Sequence, residues 1–164
     1  MIVLGVDPGT SATGYGVVDR DAAGSLRLVE CGVVRPKPGS QLAARLETIF
    51  EGLTELIARH RPDAVAVESV FVHRNARSAL ILGHARGVVL LAAARAGLSV
   101  AEYPPAAVKK AIVGGGAATK GQIQQMVARI LRLRTPPAPN DAADGVAVAL
   151  THAVRSARVL RRAV

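Results

Sequence analysis

Apolar and polar positions follow two different periods along this chain. Ile2 to Val6 is an apolar run closed by Asp7-Pro8-Gly9, a turn signal. A second run, Gly14 to Asp19, follows a polar loop containing Thr10, Ser11 and Thr13, and a third spans Leu26 to Val34. Short connections between three extended runs predict an antiparallel meander. Past the loop at Pro36 to Gly39 the period changes. Leu42, Leu46, Ile49, Leu53, Leu56 and Ile57 recur at helical spacing, with Ser40 placed to cap the helix and Pro62-Asp63 to end it after His60. Ala64-Val65-Ala66-Val67 is apolar without alternation, the pattern of a strand covered on both faces in a parallel sheet.

Residues 69–75 read as a loop, followed by a helix running to about Ala96 and a short strand near Leu98 to Glu102. A brief helical turn around Val108 leads into Gly114-Gly115-Gly116, whose lack of side chains permits movement or close approach of a ligand. Thr119 caps a further helix ending near Leu133; Thr135 to Pro139 is a proline-rich connector. The last helix starts at Asn140 or Asp141 and runs toward the C-terminus. This order predicts an α/β domain with a mixed sheet, residues 1–153, and a basic helical end or tail, 154–164.

The 164 residues suffice for one domain with a sizeable core. Half are hydrophobic and 20% charged, which excludes a disordered chain. The uncharged apolar stretch Gly87 to Ala94 falls far short of the ~20 residues that cross a bilayer. The chain opens on a strand pattern rather than a signal peptide, and Cys31 is the lone cysteine, so an intrachain disulfide and a multi-cysteine metal site are excluded. The expectation is a cytoplasmic protein with no membrane partner. A net charge of +9 and a pI near 11.0 point to a polyanion, nucleic acid ahead of anionic lipid. Tyr15, Phe50, Phe71 and Tyr103 are too few aromatics for serial base stacking along a single strand.

Four acids change the picture. Asp7 ends the first strand and Glu68 the buried one; ligand sites in α/β sheets form outside the carboxyl ends of the strands. Asp141 and Asp144, three residues apart on the first turn of the last helix, lie roughly 60° apart around its axis and share a face. An acid at a helix start also caps it and favours the dipole, which accounts for Asp141 equally well. Glu68 has no such excuse: a carboxylate directly after four apolar strand residues must be paired or bound to a cation. Were the four to converge, hard oxygen donors without clustered His or Cys would select Mg²⁺ or Mn²⁺. A pair of such ions about 4 Å apart clamps the attacking and departing oxygens of a phosphodiester displacement.

These residues carry a resemblance. Gly5-Val6-Asp7-Pro8-Gly9-Thr10 with Thr13-Gly14-Tyr15-Gly16, Val67-Glu68-Ser69-Val70-Phe71 with Asn75, Val113 to Lys120, and Asp141-Ala142-Ala143-Asp144 with His152 together resemble the RuvC family of Holliday junction resolvases. The match runs through about residue 153. It implies an RNase H-like fold, a mixed five-stranded sheet of antiparallel meander plus parallel strands flanked by helices. It implies that Asp7, Glu68, Asp141 and Asp144 are catalytic and hold two Mg²⁺ per subunit, with Mn²⁺ substituting. Phe71 falls where the family wedges an aromatic against bases, among the polar Arg74, Asn75 and Arg77; Lys109 and Lys120 match lysines near the scissile phosphate. The implied partners are four-way junction DNA, a second copy in a homodimer, and the RuvA and RuvB branch-migration complex. The implied reaction is paired symmetric nicking that leaves 5′-phosphate and 3′-hydroxyl ends.

Ser69 and Gly145 depart from the family pattern. Gly145 predicts a more mobile start to the last helix, since glycine inside a helix costs about 1 kcal/mol relative to alanine. Arg155, Arg158 and Arg162 form a basic stripe at helical spacing, with Arg161 beside it, that either touches flanking DNA or is a solvated end. His60, His84 and His152 read as structural or surface residues rather than metal ligands. The surplus apolar surface of the 78–96 helix fits a two-fold interface or a helix sandwiched within the monomer. Two other classes share parts of the pattern. One is a sugar-kinase-like nucleotide binder using Asp7-Pro8-Gly9-Thr10, which would be stabilised by ATP. The other is a non-catalytic junction-binding protein, which would be indifferent to Asp7→Asn.

Overall fold

The structure is a computed structural model describing residues 1–69, 76–115 and 118–162, the side chains of 157–162 excepted. Three strands, β1 (Ile2–Asp7), β2 (Thr13–Arg20) and β3 (Leu26–Val34), form the expected antiparallel meander. Helix α1 (Leu42–His60) leads to β4 (Ala64–Glu68), which lies parallel to β1, and α2 (Ala76–Arg95) leads to β5 (Ser99–Tyr103), parallel to β4. The sheet order is β3-β2-β1-β4-β5. Helices α3 (Pro105–Val113), α4 (Lys120–Ile130) and α5 (Asn140–Arg162) complete the chain. This is the expected RNase H-like architecture.

The sheet divides the core in two. Leu4, Val6, Val17, Val65 and Val67 face α1 and α2, joined by Ile49, Leu53, Leu56, Ala85 and Val89. Val3, Val18 and Ala66 face the other way, against Val108, Val127 and the buried stripe Val146 to Ala153 of α5. Strand β4 is apolar up to Glu68 because both of its faces are covered. Helix α2 reaches the length of a membrane span, longer than its uncharged stretch indicated, yet Ala85, Val89, Ala92 and Ala93 bury one face in this core.

Three local readings need correction. Ser40 does not cap α1: its hydroxyl donates to the Lys37 carbonyl, and the N-cap is Gln41, without a side-chain bond. The turn expected at Val108 is a nine-residue helix, since Pro105 sits in the first turn, where its missing N–H costs nothing. Gly145 has a packing role. A side chain there would place its Cβ 2.5 Å from the Tyr15 Cα, so the glycine lets α5 lie directly on β2. By contrast Thr119 caps α4 as expected, its hydroxyl accepting the Gln122 N–H while the Gln122 side chain accepts the Thr119 N–H.

Candidate active site

The carboxyl ends of β1, β3, β4 and β5 share one edge of the sheet, because β3 returns to the direction of β1. Val6 pairs with Val67, so Asp7 and Glu68 leave adjacent strands side by side. Their carboxyls act directly on one another across the strand pair. Burial, reinforced by the charges of Glu68 and Asp144, pushes the Asp7 carboxyl up to about 7. Burial also raises Glu68, against the lowering effect of neighbouring Asp7.

Glycine brings α5 to this edge. A Cβ on Gly14 would collide with the Asp141 carbonyl, one on Gly16 with the Val146 backbone, and one on Gly5 with the backbone of Gly145 and Ala149. Helix backbone thus rests on strand backbone, and the first turn of α5 reaches the acids of β1 and β4. Asp144 acts electrostatically on both Asp7 and Glu68. The Lys120 Nζ lies 2.7 Å from Asp144 Oδ2, and this bond raises the Lys120 ammonium above its ordinary value. Glu68, Lys109, Lys120 and Asp144 line one cleft of about 230 Å³, floored by Val108, Ile123, Ala147 and Val148.

Asp141 has a different neighbour. Its Oδ2 lies 3.6 Å from a guanidinium nitrogen of Arg35, the residue that follows β3. The structure therefore couples Asp7, Glu68 and Asp144, and places Asp141 on the same helix turn in an ion pair. Among the described residues no three acids, histidines or cysteines form a ready-made ligand cage. Arg35 was not legible as a site residue, since nothing in a lone arginine before Pro36 announces a partner on the last helix.

Of the remaining expected contacts, Lys109 lines the cleft and Arg77 is exposed on the first turn of α2. Phe71, Arg74, Asn75 and Gly116 lie outside the described residues. Thr13 serves the turn: buried, its hydroxyl donates to the Gly9 carbonyl at 2.7 Å and holds the loop after Asp7 closed. His60 bonds Glu30 and His152 bonds the Tyr103 hydroxyl, so both have structural roles; burial keeps the His152 ring below its ordinary pKa. Arg155 stacks over Tyr103 at 5.6 Å.

The chain is similar to known proteins. The family model "Crossover junction endodeoxyribonuclease RuvC" matches residues 3–152. A protein of that name from Pelotomaculum thermopropionicum is 52% identical over 153 residues, 93% of either chain. The Thermus thermophilus RuvC structure superposes with a TM-score of 0.89 at 40% identity, covering 97% of both chains. The same protein in complex with Holliday junction substrate gives 0.87 at 38% identity, covering 96% of both. With the acids at the carboxyl edge of an RNase H-like sheet, these matches lead to one conclusion: the chain belongs to the RuvC family of crossover junction endodeoxyribonucleases.

Proposed function

We propose that this endonuclease resolves Holliday junctions by paired, symmetric nicks on two opposing strands, with Asp7, Glu68, Asp141 and Asp144 holding two Mg²⁺ per subunit. Mn²⁺ serves in their place. The observation that carries this reading is the strand register that sets Asp7 and Glu68 side by side, with Asp144 of α5 close enough to act on both. Clustered carboxylates that are partly buried and repel one another form a site short of positive charge, and hard oxygen donors suit a divalent ion. Once bound, such ions make water acidic enough to attack at neutral pH and neutralise charge developing on the phosphate.

The chain's own groups do the rest. Asp7 would serve such a cation as an ionised carboxylate ligand. Lys120 and Lys109, lining the same cleft as Glu68 and Asp144, draw the phosphate in and orient it. Lys120→Ala is expected to slow nicking about 10²-fold, the usual effect of deleting one preorganised electrostatic contact. Its ion pair with Asp144 is more than half exposed on the lysine side, so the melting temperature should stay within a few degrees. Single-turnover cleavage and a thermal melt check both halves.

Two matched nicks require two sites related by a two-fold axis, hence a homodimer. Helix α2 supplies a surface for it: Leu80, Leu91 and Ile81 are 68%, 53% and 37% exposed, with Gly83 and Gly87 between them. Leu80→Glu is expected to convert the dimer to monomer in sedimentation equilibrium and to abolish paired cutting. An unchanged mass would remove α2 from the interface. The wedge role of Phe71, phosphate contacts from Arg74, Asn75 and Arg77, and cooperation with the RuvA and RuvB complex in the bacterial cytoplasm belong to the same proposal. Residues 1–153 are its nuclease domain, and 154–164 the basic end.

The test is a synthetic four-way junction beside a linear duplex, each with and without Mg²⁺, with nicks mapped on every strand. The expected result is two cuts at symmetric positions on the junction, only with the ion. Equal cutting of duplex, or cutting without a divalent ion, would refute the proposal.

A further inference from the structure

The basic residues around the acids occupy two sides. On one, Lys109 of α3 and Lys120 at the start of α4 line the cleft beside Glu68, at the end of β4. Arg35 stands on the other, at the end of the edge strand β3, two strands from Asp7. With neighbouring strands about 4.8 Å apart, its backbone is anchored roughly 10 Å from that of β1. Buried Pro36 follows directly and fixes the chain there. A DNA strand entering between the two groups of cations would meet Arg35 on one flank of the reacting phosphate and the lysines on the other.

The pair that Arg35 makes is a loose one. At 3.6 Å from Asp141 Oδ2 it is beyond hydrogen-bond range, and the two side chains are 57% and 41% exposed. A guanidinium prefers two parallel bonds to a phosphate or carboxylate, which this geometry does not provide. Any cation that neutralises Asp141 removes the reason for the pair.

We propose that Arg35 is a positioning residue with two alternative partners: Asp141 in the metal-free protein, and a backbone phosphate of the bound DNA once divalent ions occupy the acids. This rests on the metal-holding role of those acids. In the first state Arg35 competes with the ions for Asp141, and in the second it grips the strand on the β3 side of the cut.

Two binding measurements test it without recourse to cleavage. Titration calorimetry of Mn²⁺ into the metal-free protein should show Arg35→Ala binding about threefold tighter than wild type, within the worth of an exposed ion pair. Junction affinity measured with Ca²⁺ across a range of NaCl should be weaker for Arg35→Ala, its log–log salt slope smaller by about 0.9 for the lost phosphate contact. Arg35→Lys should restore the slope. A merely structural arginine would move neither quantity in this paired way. Unchanged Mn²⁺ affinity or an unchanged salt slope in Arg35→Ala, with wild type binding Mn²⁺ and Asp7→Asn impaired in it, would overturn the Arg35 proposal alone. Undetectable Mn²⁺ binding by wild type would overturn both it and the metal reading.

Discussion

Asp7→Asn is expected to lower the rate of junction cleavage by at least ~10³-fold and to leave junction binding intact. The size of the loss follows from charge stabilisation worth several kcal/mol at the reacting phosphate, each ~1.36 kcal/mol being tenfold. Binding survives because it rests on cations such as Lys109 and Lys120, and removing a negative charge cannot weaken attraction to a polyanion. The same substitution makes a second, opposite-looking prediction for stability. Asp7 sits at about 7 in the folded protein against 3.8 for an ordinary aspartate, so the native state holds a proton that the unfolded chain releases. A raised carboxyl stabilises the fold fully below the unfolded value and loses that contribution as pH climbs through the folded one. Metal-free wild type should therefore weaken between about pH 4 and pH 7, whereas Asp7→Asn, neutral throughout, should not show this contribution. Melting curves at about pH 5 and pH 8 without divalent ions decide it: the variant gains on wild type at the higher pH. A variant that melts below wild type at the alkaline end, or loses the junction, would contradict the site.

Gly14→Ala should be the most damaging single methyl in the molecule's active region. Its Cβ would run into the Asp141 carbonyl, a backbone atom that moves only if the start of α5 moves. Overpacking against fixed structure costs about 3 kcal/mol, a melting shift of roughly 6–12 °C in a chain of this size. Whatever relief is found lifts Asp141 and Asp144 away from Asp7 and Glu68, so cleavage should fall further than stability alone accounts for. Gly121→Ala in α4 is the control, since no atom lies within 4 Å of its added Cβ. It should raise stability by about 0.5–1 kcal/mol through the lower entropy of the unfolded chain. Comparable destabilisation in both variants would show that close backbone contact is not the cause.

Both predictions depend on features that differ in how well they can be read from sequence. The five strands and the burial of β4 were legible because a short unbroken apolar run bounded by turn residues is too brief for a helix and too apolar for a loop. The Thr119 cap was legible from local chemistry alone, with Gln122 three residues on. Helix α3 was not, because Pro104-Pro105 reads as a breaker until the second proline is seen to occupy the one helical position that tolerates it. Ser40 shows the converse: the right residue type near a helix start, its hydroxyl already engaged by Lys37. Asp7 and Glu68 were recognisable as the ends of strands, but their meeting depends on register between strands far apart in the chain. Arg35 had no local signal, because its meaning comes from Asp141 on the far side of the fold. Gly145 looked like a weakness in a helix and turns out to be the contact surface that seats it.

The glycine seam between α5 and the meander also governs which sequence changes this fold can accept. At Gly5, Gly14, Gly16 and Gly145 every coded alternative brings at least one carbon into space already filled by main chain. Compensation from a neighbour is closed off too, because a peptide bond cannot be traded for a smaller one. Substitutions that persist should therefore collect on the outer strand and on the solvent sides of α1 and α4, while these four positions stay locked.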